Sequence, residues 1–437
     1  MYIVGIDIGT SATKTAVYSL DGVLVTEASY EYPLYQPHNG WAEQNPADWW
    51  KAVCSTLKEV TSKIDSSKIA GVGFSGQMHG LVMLDEKNEV IRPSIIWCDS
   101  RTSKECEEIN EIVGLDRLME ITAAPALSGF TASKIRWVMK NEPENWARCR
   151  HILLPKDYIR FCLSGEFYTD ASDASGMQLF DIRTRNWSDE ICEKLGVDKA
   201  LLAKVAESPD KVSTVSKKAS ELTGLPEGTP LAAGAGDNAA AAVGTGVVID
   251  GKAFTTIGTS GVVFAHSKKL AQDMGGRIHT FCSAVPGEYH TMGVTQAAGL
   301  SLQWFKKSIA ENLSYKELDD LAEKLPIGAD KLIYLPYLMG ERSPINDTDA
   351  RGVFIGLSLD TKREDTVLAV LEGVSFAIRD SFEVAKSLGL DIKESCLVGG
   401  GAKSPLWRKI IANVLGIRLN ILKTEQGPGL GAVILAL

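Results

Sequence analysis

The chain lacks the features that define several large protein classes. None of its eight cysteines forms a Cys-x-x-Cys pair and its six histidines show no ligand spacing. Neither a zinc site nor a disulfide framework is expected, and a reducing compartment fits best. Basic residues are the minority, 46 Lys and Arg against 55 Asp and Glu, for a formal net charge of −9. That balance argues against nucleic acid or an anionic membrane as partner, because either needs a basic surface. No apolar run approaches the roughly 20 residues of a membrane span. The opening Met-Tyr-Ile-Val-Gly-Ile reads as a strand, not as the basic and apolar regions of a signal peptide. A cytoplasmic location is expected. A Walker Gly-x-x-x-x-Gly-Lys-Ser/Thr loop is also absent, as is a Rossmann unit whose first strand leads straight into a Gly-x-Gly-x-x-Gly helix, which disfavours P-loop ATPases and dinucleotide dehydrogenases.

What is present points elsewhere. At 437 residues, 45% hydrophobic and 23% charged, the chain is long enough for two or more domains with separate cores. The tetrapeptide Ile-Gly-Thr-Ser occurs at Ile8–Ser11 and again at Ile257–Ser260, once per half and each time after an apolar, β-branched run. Each copy reads as a strand followed by a turn. Alternation puts Val4, Ile6 and Ile8 on one face of the first strand and Gly5, Asp7 and Gly9 on the other, a face bare except for one carboxylate. Glycine turns let backbone N–H groups approach an anion, and Thr and Ser hydroxyls add donors. Two such turns suggest a polyphosphate gripped between two related domains, although a single Gly-Thr-Ser turn is also ordinary hairpin punctuation.

The opening predicts an antiparallel meander, with strands at 2–8, 14–19 and 23–29 and an Asp21-Gly22 hairpin turn. Trp49, Trp50, Val53, Leu57 and Val60 recur at helical spacing over 46–62. A buried strand over 69–74 runs into the loop 75–80. Further strands are expected at 81–84 and 95–97, a helix at 102–113, and a helical pattern throughout 131–165. A strand over 231–235 enters Gly236-Asp237-Asn238. The meander restarts at Ala253, and near the end a strand over 396–398 meets Gly399-Gly400-Gly401 before a helix over 405–415. The expected fold class is α/β with internal duplication.

Four places carry chemistry. Asp7 beside a bound polyphosphate would repel it unless a cation lay between them, which suggests Mg²⁺ held through water; a strand-end Asp capping backbone amides is the plainer account. Asp237, at a strand end, suits the group that takes a hydroxyl proton during phosphoryl transfer, or is simply a helix N-cap. Met78 and His79, between Gly76 and Gly80, lie where a small ligand can approach, and His can hydrogen-bond sugar hydroxyls or be purely structural. Gly399–Gly401 offers a bare surface for a purine or ribose, or tight strand–helix packing.

Taken together, Asp7–Ser11, Ser75–Gly80, Gly129–Trp137, Gly236–Asn238, Ile257–Gly261 and Gly399–Ala402 resemble, in order along the whole chain, the FGGY carbohydrate kinases. The resemblance implies an actin-like, ribonuclease-H-like fold: two tandem domains of related topology with an interdomain cleft, a sugar-binding domain over 1–243 and an ATP-binding domain over 244–437. It implies transfer of the γ-phosphate of ATP to the terminal hydroxyl of D-xylulose. Asp237 would be the base and Asp7 would serve the Mg²⁺–phosphate end. Gln77, Met78, His79, Asp237 and Asn238 would contact the ketopentose. ATP would meet Gly9, Thr10, Ser11, Gly258, Thr259 and Ser260, then Gly299 and Gln303, and Gly400 and Gly401 near adenosine. Glycerol kinases carry Arg-Glu in place of Met78-His79, and gluconate kinases Ser-Asp-Gly in place of Gly236-Asp-Asn238; gluconate, ribulose and a non-sugar actin- or chaperone-like ATPase stay as alternatives. The implied partners are the sugar and ATP, with no nucleic acid and no membrane, and a homodimer is left open. Two departures stand out: Pro405 occupies a position that is Asn in several relatives, and the C-terminal end is short by comparison, finishing in an apolar helix over 432–437.

Overall fold

The computed structural model describes residues 1–422 and 427–437. They divide into two compact units. The first comprises Met1–Gly246 together with Phe281–Tyr289 and residues 427–437; the second comprises Val247–Thr280 and residues 290–422. The units are therefore not simply consecutive: two short segments from the second half of the sequence belong to the first unit.

In the first unit, β1 (Tyr2–Ile8), β2 (Ala12–Ser19) and β3 (Leu24–Glu31) form the expected meander, with Asp7 opposite Lys14. Helix α1 (Pro46–Thr61) begins at Asn45, whose side chain accepts the Ala47 N–H at 3.1 Å, and Pro46 supplies a preset first helical residue. Its Trp49, Val53, Leu57 and Val60 are completely buried, as the 3.6-residue spacing requires. Strand β4 (Ile69–Gly76) runs parallel to β1 and pairs Ser75 with Asp7.

The stretch 131–165 is not continuously helical. Helix α2 (Thr131–Asn141) gives way to a short helix Pro143–Arg148, a strand His151–Leu153 and helix α3 (Pro155–Ser164). Pro143 and Pro155 impose the restarts. Ile152 and Leu153, which fit a helical stripe as well as a strand, pair with Met83 and Val82. The strand expected over 231–235 is likewise split, into β5 (Pro230–Ala232) and β6 (Ala235–Gly236), by a break at Gly234 with φ of +81°. Both pieces pair in parallel with β4. Helix α4 (Asp237–Gly244) follows at once. The sheet order is Lys211–Thr214, β5, β4, β1, β2, β3, with β6 also on β4.

The second unit repeats this plan. Strands β7 (Lys252–Ile257) and β8 (Gly261–Ser267) are antiparallel, and β9 (Tyr289–Thr295) follows β8 in the sheet. After helices α5 (Gly299–Ile309) and α6 (Arg363–Ser387), strand β10 (Glu394–Val398) pairs in parallel with β7. Helix α7 (Pro405–Leu415) then leads to β11 (Arg418–Ile421), parallel to β10. In the order His279–Cys282, β9, β8, β7, β10, β11, the run from β9 to β11 matches β3, β2, β1, β4 and β5 of the first sheet, while the edge strands His279–Cys282 and Lys211–Thr214 have no counterpart. The actin-like, ribonuclease-H-like α/β architecture is thus present in both halves. Among the described residues no helix is long and apolar enough to cross a membrane.

One expectation about the first strand changes. The face carrying Gly5 is bare to receive a helix, not a ligand. The C-terminal helix Gly427–Leu435 lies across β1 and β4, where a Cβ on Gly5 would stand 2.6 Å from the Gly429 oxygen and one on Gly73 only 1.8 Å from the Ala432 oxygen. The apolar character of this last helix is explained: Val433 and Ala436 pack on Ile3, Ala16 and Tyr18. Because Gly73 has no room for any side chain, Gly73→Val should destabilise the protein by at least about 2–3 kcal/mol, read from urea unfolding followed by tryptophan fluorescence. An unchanged midpoint would refute the close seating of this helix.

Candidate active site

The parallel ladder brings three strand ends to one level. Asp7 ends β1, Ser75 lies beside it on β4, and Gly236, paired with Gly76, ends β6 directly before Asp237. Carboxyl ends of parallel strands are where open α/β sheets present ligand groups. The Ser75 hydroxyl donates to Asp7 Oδ1 at 2.8 Å. Burial nonetheless lifts the Asp7 carboxyl above its ordinary range, opposed by that hydrogen bond and by the Lys14 charge. Asp237 accepts the Asn238 backbone N–H at 2.7 Å and its side-chain amide at 2.9 Å, both on Oδ1. Burial first, and then the charge on Asp7, push its carboxyl up to about 7. Asp237 is the first residue of α4, whose N-cap is Gly236 without a side-chain capping bond, so the N-cap reading of Asp237 does not hold and it stands as a perturbed carboxylate.

This pair also answers whether a divalent cation fits. Two carboxylates close enough to raise a pKa, with neutral Ser75 and Asn238 as their hydrogen-bond donors and only the Lys14 charge acting on Asp7, form a site whose negative charge is incompletely compensated. Mg²⁺ typically binds through one or two carboxylates and completes its shell with water and substrate phosphates, so the donor set suits it.

The Gly9–Ser11 turn is held from several sides. Tyr32 Oη donates to the Gly9 carbonyl at 2.5 Å, Gln44 Nε2 to the Thr10 carbonyl at 2.7 Å, and Trp97 Nε1 to Thr10 Oγ1 at 2.9 Å. Gln77, expected at the sugar, instead directs its amide to Gln44 at 2.8 Å and to the Gly9 carbonyl at 3.5 Å. Its placement supports the turn.

Met78 is buried with Ala124, Phe130 and Phe281, and Gly236 leaves it room: a Cβ there would stand 2.8 Å from Met78 Cγ. His79 adopts a positive φ of 68°, unusual for a non-glycine residue. Its carbonyl accepts Lys134 Nζ at 2.7 Å and Thr131 Oγ1 at 3.1 Å, which holds the strained backbone in place. Burial pulls the Lys134 ammonium down to about 7. The His79 ring lies 4.6 Å from that of Phe130 and 6.1 Å from that of Phe281. Its Nδ1 faces the Gly176 carbonyl at 3.0 Å; a carbonyl only accepts, so Nδ1 carries the proton. Phe281 and Gly176 escaped the sequence reading. Gly176 sits in the run Asp-Ala-Ser-Asp-Ala-Ser-Gly, whose small and polar composition reads as a surface loop, and only the structure shows it wholly buried.

In the second unit Gly258, Thr259, Gly299, Gln303, Gly400 and Gly401 all line one cavity of about 750 Å³. Gly299 donates to the Gly258 carbonyl at 2.8 Å, and a Cβ at Gly299 would lie 2.3 Å from that oxygen, so the α5 N-terminus meets the turn with no intervening side chain. Ser260 lies outside the lining, whereas Tyr315, Asp319, Lys403 and Ser404 belong to it. Pro405, flagged in the sequence as a departure, also lines the cavity and starts α7 behind the Ser404 N-cap. The volume and the largely apolar walls with a few polar groups suit a nucleoside.

Comparison with known proteins gives the family of the chain. Residues 2–244 match the model of the N-terminal domain of the FGGY family of carbohydrate kinases, and residues 253–437 match that of its C-terminal domain. A xylulose kinase of Bacillus subtilis (strain 168) is 40% identical across the whole of this chain and 87% of its own length. One from Lactococcus lactis subsp. lactis (strain IL1403) is 41% identical with the same coverage. The crystal structure of a xyloylose kinase from Brucella ovis superposes with a TM-score of 0.95 at 36% identity, covering all of this chain and 90% of that one.

The carboxylate pair generates a direct test. In the ligand-free protein an NMR titration of side-chain carboxyls should show Asp237 with a midpoint near 7. Asp7→Asn removes the neighbouring negative charge, so the midpoint should fall toward the ordinary carboxylate range. An unmoved midpoint would separate the two groups.

Proposed function

The chain belongs to the FGGY family of carbohydrate kinases, and within it we propose that it transfers the γ-phosphoryl group of ATP to the terminal hydroxyl of D-xylulose, giving D-xylulose 5-phosphate and ADP. One arrangement carries the reaction type: a carboxylate at a strand end, pushed up to about 7 beside a second carboxylate. The acceptor is supported by full-length likeness to xylulose kinases at 40% and 41% identity. D-Ribulose, gluconate and a non-sugar ATPase are disfavoured by the same likeness.

Asp237 is proposed as the general base. Asn238 occupies Oδ1, which leaves Oδ2 to receive the acceptor proton as the phosphoryl group arrives in line. A base poised near neutral holds a proton weakly enough to release it afterwards. Met78 and His79 are proposed to seat the sugar, with the His79 ring held by the Gly176 carbonyl. The Gly9–Ser11 turn and the Gly258–Ser260 turn are proposed for the phosphates, and the cavity at Gly299, Gln303, Gly400 and Gly401 for the nucleoside. Asp7 is proposed to hold a hydrated Mg²⁺, which when bound neutralises polyphosphate charge. The eight free thiols support a reducing, cytoplasmic setting.

Two measurements test this proposal. Among D-xylulose, D-ribulose and gluconate, D-xylulose should raise the melting temperature most and give the highest coupled ADP release, since ligands that bind only the native state stabilise it; a larger shift with another acceptor would reassign the substrate. Asp237→Asn should lower kcat by about 10²–10⁴ while the protein becomes more stable at pH 8. The sign follows from linkage: the folded pKa lies above the unfolded value, so ionisation penalises the fold above pH 7, and the penalty fades as pH falls toward 4. With its partial exposure discounted, the gain at pH 8 is up to about 2 kcal/mol. Full activity in Asp237→Asn would remove the base.

A further inference from the structure

A buried run of small and polar residues outside the proposed substrate contacts touches each part of the acceptor site. Residues Ala171–Ala174 form one turn of α-helix and Ser175–Met177 continue it as a 3₁₀ turn. Asp170, Ser172, Asp173 and Ser175 are all completely buried.

Three hydrogen bonds leave this turn for three separate segments. Ser172 Oγ accepts the backbone N–H of Gly236 at 3.2 Å, one residue before Asp237. The Gly176 carbonyl accepts His79 Nδ1–H at 3.0 Å. Ser175 Oγ accepts the Cys282 N–H at 3.1 Å, next to Phe281, whose ring packs with those of His79 and Phe130. The fit at Gly176 is absolute: a Cβ there would stand 2.3 Å from both Cε1 and Nδ1 of His79.

The turn is in turn anchored. Asp170 Oδ2 accepts the Ser172 hydroxyl at 2.5 Å, the Ser172 N–H at 2.9 Å and the Ser208 hydroxyl at 2.8 Å. Because the Ser172 proton is committed to Asp170, its lone pairs are the side presented to Gly236. Asp170 Oδ1 pairs with Lys156 at 2.8 Å, and Lys156 also meets Asp157 at 2.6 Å and Asp173 at 3.3 Å. Arg160 joins Asp157 at 3.1 Å and donates to the Ala233 carbonyl at 2.5 Å, fixing the segment that leads to Gly236. Burial holds Asp173 well above the usual carboxylate range. Apolar residues often fill such a space with equal or greater stability. A five-residue ionic cluster placed behind this turn is better accounted for by the geometry it imposes.

We propose that the turn 170–177 is the positioning element of the acceptor site, with Ser172 setting the backbone that carries Asp237 and Gly176 setting the ring of His79. The proposal rests on the assignment of Asp237 as base and His79 as acceptor contact. It makes the two residues separable. Ser172→Ala deletes one oxygen and loosens Gly236, so kcat should fall about 10- to 100-fold while the KM values for ATP and D-xylulose stay put. Gly176→Ala pushes the His79 ring aside, so KM for D-xylulose should rise about 10-fold or more with KM for ATP unchanged. Should Gly176→Ala fail to fold, Ser175→Ala carries the acceptor arm, with the same selective rise in sugar KM. Both variants should melt within a few degrees of the parent protein. Loss of melting temperature with no split between kcat and the two KM values would overturn the proposal, because that is the signature of a merely structural turn. Asp237→Asn run in parallel separates the failures: an active Asp237→Asn removes the base assignment, whereas an inactive one beside fully active Ser172→Ala and Gly176→Ala removes only the positioning role.

Discussion

The parallel pairing of β4 with β1 on one side and β6 on the other is the constraint on which the first unit's chemistry depends. That register sets Asp7 against Ser75 and Gly236 against Gly76. A slip of one residue in any of the three strands would send its side chains to the opposite face, and the carboxylates would part. The register is secured from outside the ladder. On one face Trp49, Val53 and Leu57 belong to the same apolar cluster as Val4, Ile6 and Phe74. On the other, glycines at 5, 71 and 73 admit the C-terminal helix to backbone contact. The sheet is therefore clamped by bulk on one side and by the absence of bulk on the other.

Placing two carboxylates within reach of each other is unfavourable for the fold, and the surroundings of Asp7 and Asp237 relieve that only in part. Ser75 and Asn238 donate neutral hydrogen bonds, and Lys14 contributes a charge to Asp7. A third neutral donor or a full ion pair would have stabilised the native state further while pulling Asp237 down into the ordinary carboxylate range, where it would be a poor base near neutral pH. The contrast with the neighbouring Lys156 cluster is instructive, since there buried carboxylates are met by cations at 2.6–3.3 Å. Buried carboxylates are thus met by cations where backbone is held, and met mainly by neutral donors at the pair proposed to handle a proton and a cation.

How far this was legible in the sequence depends on whether the signal was local. The repeated Ile-Gly-Thr-Ser announced the duplicated meander because a strand and its turn are written in contiguous residues. Strand-end Asp7 and Asp237 and the glycine-flanked His79 were visible for the same reason; Gly299, Gln303, Gly400 and Gly401, named for the nucleotide, line one cavity with Gly258 and Thr259, named for the phosphates, while Ser260 lies outside it. The return of residues 427–437 to the first unit was not legible, nor was the membership of residues 281–289 there, because nothing local in a short apolar stretch says which sheet it will cover. Gly5 misled for a related reason: a bare strand face admits a ligand and a helix equally well. Ile152 and Leu153 fit both a 3.6-residue stripe and a strand, and only their partners Met83 and Val82 decide between them. Gln77 is named for the sugar together with its neighbours Met78 and His79, whereas its amide is directed to Gln44 and the Gly9 carbonyl.

The duplication also explains why one tetrapeptide serves two different sites. The two copies are equivalent in backbone: each ends the central strand of its sheet, and each strand pairs in parallel with the next one inward. They differ at the residue before isoleucine. In the first half it is Asp7, matched across the ladder by Ser75; in the second it is Thr256, matched by Val398. The carboxylate–hydroxyl pair of one half is thus a neutral hydroxyl–isopropyl pair in the other. An anion held only by backbone N–H groups and hydroxyls gains from neighbours without negative charge, and the ladder positions beside the Gly258 turn, Thr256 and Val398, carry no carboxylate. Where the carboxylate is present, an anion can approach only with a cation between them. Under the proposed roles, exchange at these two ladder positions separates a turn that would meet phosphate directly from one that would meet it through a metal ion, on the same strand-and-turn backbone.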